Sequence, residues 1–266
     1  MSKSAKFDRW AAGDAYETYM GRWSRQIACD FLDWLEPAPD ADWIDVGCGT
    51  GALTDTILDR AAPNSVLGID PSDGFIKFAK KNATDDRIRF AVCGAEDLPA
   101  ETGEFDIAVS GLAVNFFPDI EVGLREMIRV VRPGGRIAFY VWDYPGGGMG
   151  FINTFWKAAA SIDPNAAALD EGTRFPDCTP DGLTELCATA GLSCEVTAIE
   201  REARFSTFDV FWDPFTRGAG PAPGYVAKLD EAQRARLIDE LKSAVGEENI
   251  ILPARAWAVH APTPGP

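Results

Sequence analysis

Histidine and paired cysteines are nearly missing from this chain of 266 residues, which contains one histidine and six cysteines. Because the single histidine is His260 and no two cysteines form a Cys-x-x-Cys pair, we expect no zinc site and no other metal centre. We interpret the cysteines as small apolar side chains in a reducing compartment. They are Cys29, Cys48, Cys93, Cys178, Cys187 and Cys194.

Long apolar runs and an excess of basic residues are missing as well. No run approaches the ~18 to 20 apolar residues that span a bilayer, and the first residues lack the apolar stretch of a secretory signal. With 41 acidic against 25 basic residues, the net charge of −16 repels polyanions. We expect a cytoplasmic protein, monomeric or homodimeric, that acts on a small molecule and binds neither a membrane nor nucleic acid.

The chain does contain an alternation of strand and helix signals. Helices are predicted at 73–82 and 120–131, and one or two amphipathic helices precede the first strand. Strands are predicted at 43–47, 66–70, 88–93, 105–111 and 136–142, the last one after a turn at 132–135. This repetition predicts an α/β fold, a Rossmann-like seven-stranded and mostly parallel sheet with helices on both faces.

Four segments follow from the pattern. They are an N-terminal helical cap at 1–38, a Rossmann-like core at 39–204, a lid insertion at 205–248, and a last core strand with a tail at 249–266. The lid is inferred from the aromatic residues between Phe205 and Phe215 and from the turn-rich stretch after them. These aromatics either close an apolar acceptor pocket or pack on a helix predicted at 150–161.

A glycine turn joins the first predicted strand to its helix. Glycines at 47, 49 and 51 let a ligand approach bare backbone at a helix N-terminus, although glycines also occur in ordinary tight turns. Asp70 ends the next strand, where its two oxygens match the paired hydroxyls of a ribose or, alternatively, cap the following helix. The spacing G-x-G-x-G, with Ala52 next, differs from the nicotinamide fingerprint G-x-G-x-x-G.

Five segments in order resemble class I S-adenosylmethionine-dependent methyltransferases, specifically the small-molecule group related to the ubiquinone and menaquinone methyltransferases. The resemblance covers residues about 40 to 143 and is diffuse elsewhere. The segments are Asp45-Val46-Gly47-Cys48-Gly49-Thr50-Gly51, Gly68-Ile69-Asp70-Pro71-Ser72, Ala95-Glu96-Asp97-Leu98-Pro99, Phe105-Asp106-Ile107-Ala108-Val109-Ser110 and Arg132-Pro133-Gly134-Gly135.

The resemblance implies S-adenosylmethionine as cofactor and a role for each matched position. Asp45 and the Gly47 backbone would lie near the methionine moiety, Asp70 would bind the ribose, and Ala95 with Glu96 would flank the adenine. The family often has a polar residue just before that pair, whereas this chain has Gly94. The cofactor-binding residues implied in this way are Asp45, Gly47, Gly49, Gly51, Asp70, Pro71, Ser72, Ala95, Glu96 and Leu112.

Other residues are candidates for capping the cofactor and handling the acceptor. The aromatic residues Tyr16, Tyr19 and Trp23 could cap the sulfonium or pack in a core, and we assign Tyr19 to the cofactor site.

Asn115 follows the fourth strand and could hydrogen-bond the acceptor, while Asp119 is either a base or a helix cap. We take Asp143 and Tyr144, after the fifth strand, as the proton-handling pair. We expect His260 at the surface beyond the last strand, and Arg174 either at the surface or facing an acidic substrate.

Two functions are compatible with these residues. The first is methyl transfer from S-adenosylmethionine to a small organic acceptor by in-line displacement, in which positioning and exclusion of water dominate. The alternative is a noncatalytic S-adenosylmethionine-binding protein with a sensing or assembly role.

Overall fold

The computed structural model describes residues 22–217 and 220–263. Within them, seven strands form one sheet in the order β3-β2-β1-β4-β5-β7-β6. The strands are β1 (Asp42–Val46), β2 (Ser65–Asp70), β3 (Ile88–Val92), β4 (Phe105–Gly111), β5 (Val131–Trp142), β6 (Glu195–Thr207) and β7 (Glu248–Pro262). Strands β1 to β5 are parallel, and β7 runs antiparallel to both of its neighbours, so the predicted mostly parallel sheet is confirmed.

Helices cover both faces of the sheet. They are α1 (Arg22–Leu35), α2 (Ala52–Ala61), α3 (Asp73–Asn82), α4 (Ile120–Val130), α5 (Gly150–Ile162), α6 (Glu171–Arg174), α7 (Pro180–Thr189), α8 (Phe208–Arg217), α9 (Pro221–Val226) and α10 (Glu231–Val245). Trp43 and Ile44 are both fully buried but belong to different cores, one with α1, α2 and α5, the other with α4 and α7. This explains why β1 has two consecutive apolar residues instead of alternating apolar and polar ones.

The strand order reverses beside β1. Asp45 pairs with Gly68 of β2 on one side and with Val109 of β4 on the other. The connections that leave β1 and β4 therefore diverge, and a crevice opens at the carboxyl ends of these strands.

The strand β7 lies inside the sheet and not at its edge. Strand β7 lies between β5 and β6, so the returning strand predicted near residue 250 is present and is longer than expected. His260 lies inside this strand, opposite Ala138, and not beyond it. It is partly buried next to Trp34, which corrects the expectation of a surface residue.

Two local predictions need adjustment. The predicted turn at 132–135 is the irregular start of β5, where the pairing with β4 shifts register and Gly134 has φ +77°. The segment 205–248 begins with the end of β6 and continues through α8, α9 and α10. Most of the N-terminal cap predicted at 1–38, including Tyr16 and Tyr19, lies outside the described residues, and only α1 is seen.

Candidate cofactor and acceptor site

A cavity of about 760 Å³ opens at the carboxyl ends of β1, β2, β4 and β5. It extends from the glycine turn after β1 to the residues of α6 and α7. Nearly all of the predicted cofactor-binding positions line it. These are Asp45, Gly47, Gly49, Asp70, Pro71, Ser72, Ala95, Glu96 and Leu112.

The glycine turn is held tightly against β2 and β4. The N–H groups of Gly47 and Cys48 both donate to the Ile69 carbonyl, at 2.8 Å each. Gly47 has φ +78°, and a Cβ at this position would lie 2.5 Å from the Ala113 Cβ. Both the backbone conformation and the close approach therefore require glycine here. Gly51 precedes α2 with φ +95° and does not line the cavity, so its contribution is to the turn itself.

Asp70 links the turn to the end of β2. Its Oδ2 accepts from the Gly49 N–H at 3.0 Å and its Oδ1 from the Ser72 N–H at 2.7 Å. The cap of α3 is the Ser72 side chain, which accepts from the Phe75 N–H, so the alternative role of Asp70 as the cap is not realised. Each Asp70 oxygen keeps acceptor capacity toward the cavity, as a pair of ribose hydroxyls requires. Burial raises the pKa of Asp70.

Asp45 is fully buried at the floor of the cavity. Thr54, in the first turn of α2, donates its hydroxyl to Asp45 Oδ2 at 2.7 Å. Among the described residues Oδ1 has no hydrogen-bond partner. Burial raises the pKa of Asp45 to about 7. A buried carboxylate with an unused oxygen fits a cationic ammonium group, and the methionine moiety of S-adenosylmethionine carries one.

The opposite wall is built by the loops after β3 and β4. Ala95 is buried, and a Cβ at Gly94 would lie 3.2 Å from Glu96 Oε2. The Glu96 carboxylate thus occupies the space beside Gly94 where the related enzymes often have a polar side chain. Leu112 has φ +59°, a conformation that L-residues rarely adopt, and its N–H donates to the Tyr140 carbonyl at 2.8 Å.

Aromatic residues surround the other half of the cavity. Phe175 makes an edge contact with Phe116, with ring centroids 5.0 Å apart, and a tilted contact with Tyr144 at 5.8 Å. Arg174 also lines this end, and its guanidinium lies 4.8 Å from the Phe175 ring centroid. Arg174 was expected either at the surface or facing the substrate, and the structure favours the second interpretation.

Asn115 follows β4 in a short 3₁₀ helix, Val114–Phe116, and lines the same end. Its amide oxygen and nitrogen are both buried, and neither has a hydrogen-bond partner within 22–217 and 220–263. Because an unpaired buried amide is costly, its place in the wall suits an acceptor that carries polar atoms. Asp119 caps α4 by accepting from the Val122 N–H at 3.0 Å, as the second reading of that residue expects.

The two residues of the predicted proton-handling pair have different surroundings. Tyr144 lines the cavity, but Asp143 does not. Asp143 Oδ2 accepts from Arg255 Nε at 2.8 Å and Nη2 at 2.6 Å, and Oδ1 accepts from the Gly146 N–H at 2.9 Å. Since its carboxylate is occupied by this ion pair between β5 and β7, Asp143 is placed as a structural residue instead of a base.

The aromatic residues at 205–215 also depart from one of their two expected roles. They do not line the cavity. Phe215 stacks on Phe151 and Phe155 of α5, with ring centroids 4.3 and 4.5 Å apart. Trp23 joins this cluster through Phe151 and Phe205, instead of capping the cofactor. The alternative of packing on the helix at 150–161 is therefore the one that the structure supports.

Glu171 of α6 also lines the cavity, although it was not among the residues predicted from the sequence. It is buried, with 5 % exposure, and Trp156 Nε1 donates to its Oε2. Burial raises the pKa of Glu171 to about 7. No local pattern marks this residue, because its partner is fifteen positions away on α5.

None of the helices among the described residues has the length and hydropathy that crossing a membrane requires. No group of three or more His, Cys, Asp or Glu side chains in that part of the chain could hold a metal ion.

The fold and site together define a doubly wound α/β protein with a nucleoside-cofactor pocket at its topological switch point. Residues 44–139 match the family model described as a methyltransferase domain. The human mitochondrial ubiquinone biosynthesis O-methyltransferase is 39% identical over 175 residues, which cover 64% of this chain and 45% of that protein. The match thus spans less than half of the relative's length.

Solved structures share the fold. A Bacillus halodurans protein named as a candidate methyltransferase has a TM-score of 0.61 at 13% identity, and the match covers 90% of this chain and 99% of that one. The geranyl diphosphate C-methyltransferase of Streptomyces coelicolor, solved with S-adenosyl-L-homocysteine, has a TM-score of 0.52 at 17% identity, covering 90% and 75%. Residues 44–139 are thus identified as a methyltransferase domain similar to those of the class I S-adenosylmethionine-dependent enzymes, which use S-adenosylmethionine as cofactor.

Proposed function

We propose that this protein transfers the methyl group of S-adenosylmethionine to a small organic acceptor. The observation that carries the proposal is one continuous cavity, with the glycine turn, Asp45 and Asp70 at one end and an aromatic wall at the other. Its volume of about 760 Å³ lies in the range of small-molecule sites, and most of its lining is apolar. The excess of acidic residues argues against a polyanionic substrate.

The residues of the cofactor end would bind and orient S-adenosylmethionine. Asp70 would accept the ribose hydroxyls, and Asp45 Oδ1 would accept the ammonium of the methionine moiety. Ala95 and Glu96 would flank the adenine, and Leu112 would pack against the cofactor. When bound, the cofactor supplies an already activated methyl group. The protein then chiefly has to hold the acceptor in line with the breaking bond and keep water out.

The residues of the acceptor end position the second substrate. Asn115 can donate and accept through its two unpaired amide atoms, and Tyr144, Phe116 and Phe175 form an apolar wall for a flat acceptor. The relatives differ in the atom they methylate, since one is named for O-methylation and another for C-methylation. A cytoplasmic location and a monomeric or homodimeric state stay predictions.

Product formation tests the proposal. The purified protein is incubated with S-adenosylmethionine and panels of phenols, amines, carboxylic acids and thiols, and mass spectrometry follows methylated products together with S-adenosylhomocysteine. We expect stoichiometric formation of both from at least one panel. Binding of the cofactor in calorimetry without any product would instead support the noncatalytic alternative.

A further inference from the structure

We propose that Glu171 is a catalytic residue, the general base that takes the proton from a hydroxyl group of an aromatic or enolic acceptor. The inference rests on the proposed methyl transfer and adds the acceptor class and the base. It starts from the position of Glu171, which lines the cavity on the far side from Asp45 and Asp70.

Two contacts place Glu171 beside the aromatic wall. The Phe175 N–H donates to the Glu171 carbonyl at 2.8 Å. Gly172, the next residue, lies against the backbone of Tyr144, because a Cβ there would be 3.1 Å from the Tyr144 carbonyl oxygen. An acceptor ring seated against Tyr144 and Phe175 is therefore next to the segment that carries the carboxyl group.

A purely structural role explains this carboxyl group poorly. Its hydrogen bonds come from Trp156 Nε1 and from the Glu171 backbone N–H. The charge of Arg174 lowers the pKa of this carboxyl group and that of Asp170 raises it, but burial has the largest effect. An indole N–H needs only a neutral acceptor, so burying a carboxyl group for Trp156 alone costs more than a glutamine would. The Trp156 bond does fix the side chain, which a base requires.

The protonation equilibrium of Glu171 suits acid–base chemistry near neutrality. Its pKa of about 7 arises first from burial, and the Trp156 hydrogen bond opposes that effect. A base with a pKa near the working pH is both available as carboxylate and strong enough to take a proton. A phenol has an ordinary pKa of about 10, as tyrosine does, so it is mostly un-ionised at neutral pH and gains from such a base.

The step balances without any further reactant. The acceptor oxygen forms a bond to the methyl carbon while the S–CH₃ bond breaks. The electron pair of that bond stays on sulfur, which becomes a neutral thioether. The hydroxyl proton passes to the Glu171 carboxylate and from there to solvent.

The test compares two phenols of different acidity, 2-naphthol and 4-nitrophenol, at saturating S-adenosylmethionine and pH 7.5. We expect Glu171→Gln to lower kcat/KM for 2-naphthol about 100-fold or more, the usual size of a general-base contribution. The loss should be much smaller for 4-nitrophenol, which is already largely ionised. Glu185→Gln, an exposed glutamate of the neighbouring α7, is the matched control and should change neither value.

Equal losses with both phenols, or no loss, would overturn the assignment of Glu171 as base. The wild-type enzyme provides an independent measurement if the variant folds poorly. At saturating S-adenosylmethionine, its kcat/KM for 2-naphthol should rise to a plateau through about pH 7, below the ordinary phenol pKa of about 10, and a flat profile would also overturn the assignment.

The two proposals fail differently. Methylation of amines or thiols but of no hydroxyl compound leaves the methyltransferase function intact and removes the inference about Glu171. Cofactor binding with no product from any panel removes the proposed function, and the inference with it.

Discussion

Thr54 donates its hydroxyl to Asp45 Oδ2 at 2.7 Å, from the first turn of the helix that follows the glycine turn. This bond orients the buried carboxyl group so that Oδ1 stays unpaired at the cavity floor. The same burial that holds the pKa of Asp45 at about 7 makes cofactor binding depend on pH. A cationic ammonium group binds the carboxylate form, so binding must release the proton.

We therefore predict that the affinity for S-adenosylmethionine falls about tenfold for each pH unit below 7, because one proton must then be displaced. Calorimetry between pH 5.5 and 7 measures this. Asp45→Asn should bind more weakly with little pH dependence, since its amide can still accept from Thr54 but carries no charge. A wild-type affinity that is constant over this range would contradict the role of Asp45.

The stability of the folded protein should depend on pH in the opposite direction from cofactor affinity. In the folded protein without cofactor, Asp45 and Glu171 hold their protons up to about pH 7, whereas in the unfolded chain they release them near 3.8 and 4.5. Their contribution to the free energy of unfolding is thus fully present below these lower values and is lost as the pH rises through about 7. The apo protein should melt at a lower temperature at pH 8 than at pH 6, and the difference should shrink in Asp45→Asn.

Asp70→Ala should weaken binding of S-adenosylmethionine more than tenfold, each tenfold being about 1.4 kcal/mol. The expected cause is the loss of both ribose acceptors together with the support that Asp70 Oδ2 gives to the Gly49 N–H. Asp73→Ala is the control, because Asp73 is 62 % exposed in the first turn of α3 and pairs with Lys77 at the surface. Unchanged affinity of the Asp70 variant in calorimetry would remove Asp70 from the site.

Gly47→Ala tests the close approach at the turn. The new Cβ would lie 2.5 Å from the Ala113 Cβ, and φ +78° is strained for alanine, so we expect more than tenfold loss of cofactor affinity and lower stability. Gly134→Ala separates the two effects, since Gly134 has φ +77° but nothing within 4 Å of its Cβ position. It should cost roughly 1 kcal/mol of stability and leave the cofactor affinity unchanged. If both variants bound the cofactor normally, the turn would not depend on this contact.

Asp143→Asn should lower the free energy of unfolding by about 2 to 4 kcal/mol, because Arg255 would lose a charged partner that is itself buried. Cofactor affinity and turnover per folded molecule should be unchanged. Glu200→Gln is the control, since Glu200 contacts the same Arg255 from a 68 % exposed position and its loss should cost a few tenths of a kcal/mol. Lost turnover at unchanged stability would return Asp143 to the proton-handling role.

Much of the cofactor end was predictable from sequence, because its determinants are local. Gly47 and Asp70 follow directly from strands whose apolar runs are plain, and in parallel strands the carboxyl ends meet at one edge. The acceptor end was less predictable, because its determinants are tertiary. Asp143 and Tyr144 are adjacent in sequence, but their surroundings differ. Asp143 forms an ion pair with Arg255 of β7, whereas Tyr144 lines the cavity, and only the tertiary structure shows this.

Glu171 and the aromatic residues at 205–215 show the same limit. Aromatic richness predicts burial but does not say against which surface, and here the partners are Phe151 and Phe155 of α5. The hydrogen bond between Trp156 and Glu171 joins two helices across a connection with no periodic pattern. Only packing reveals that Glu171 lines the cavity.

The location of β7 has a consequence for the order of folding. Strands β1 to β5 can pair with one another as soon as residue 142 is available, but β6 pairs only with β7, whose own other neighbour is β5. During synthesis β6 therefore has no partner until the last strand emerges, and its edge and that of β5 stay exposed in the interval. The strands β1 to β5 already carry the glycine turn and Asp70, so the cofactor end of the site does not depend on β6 and β7.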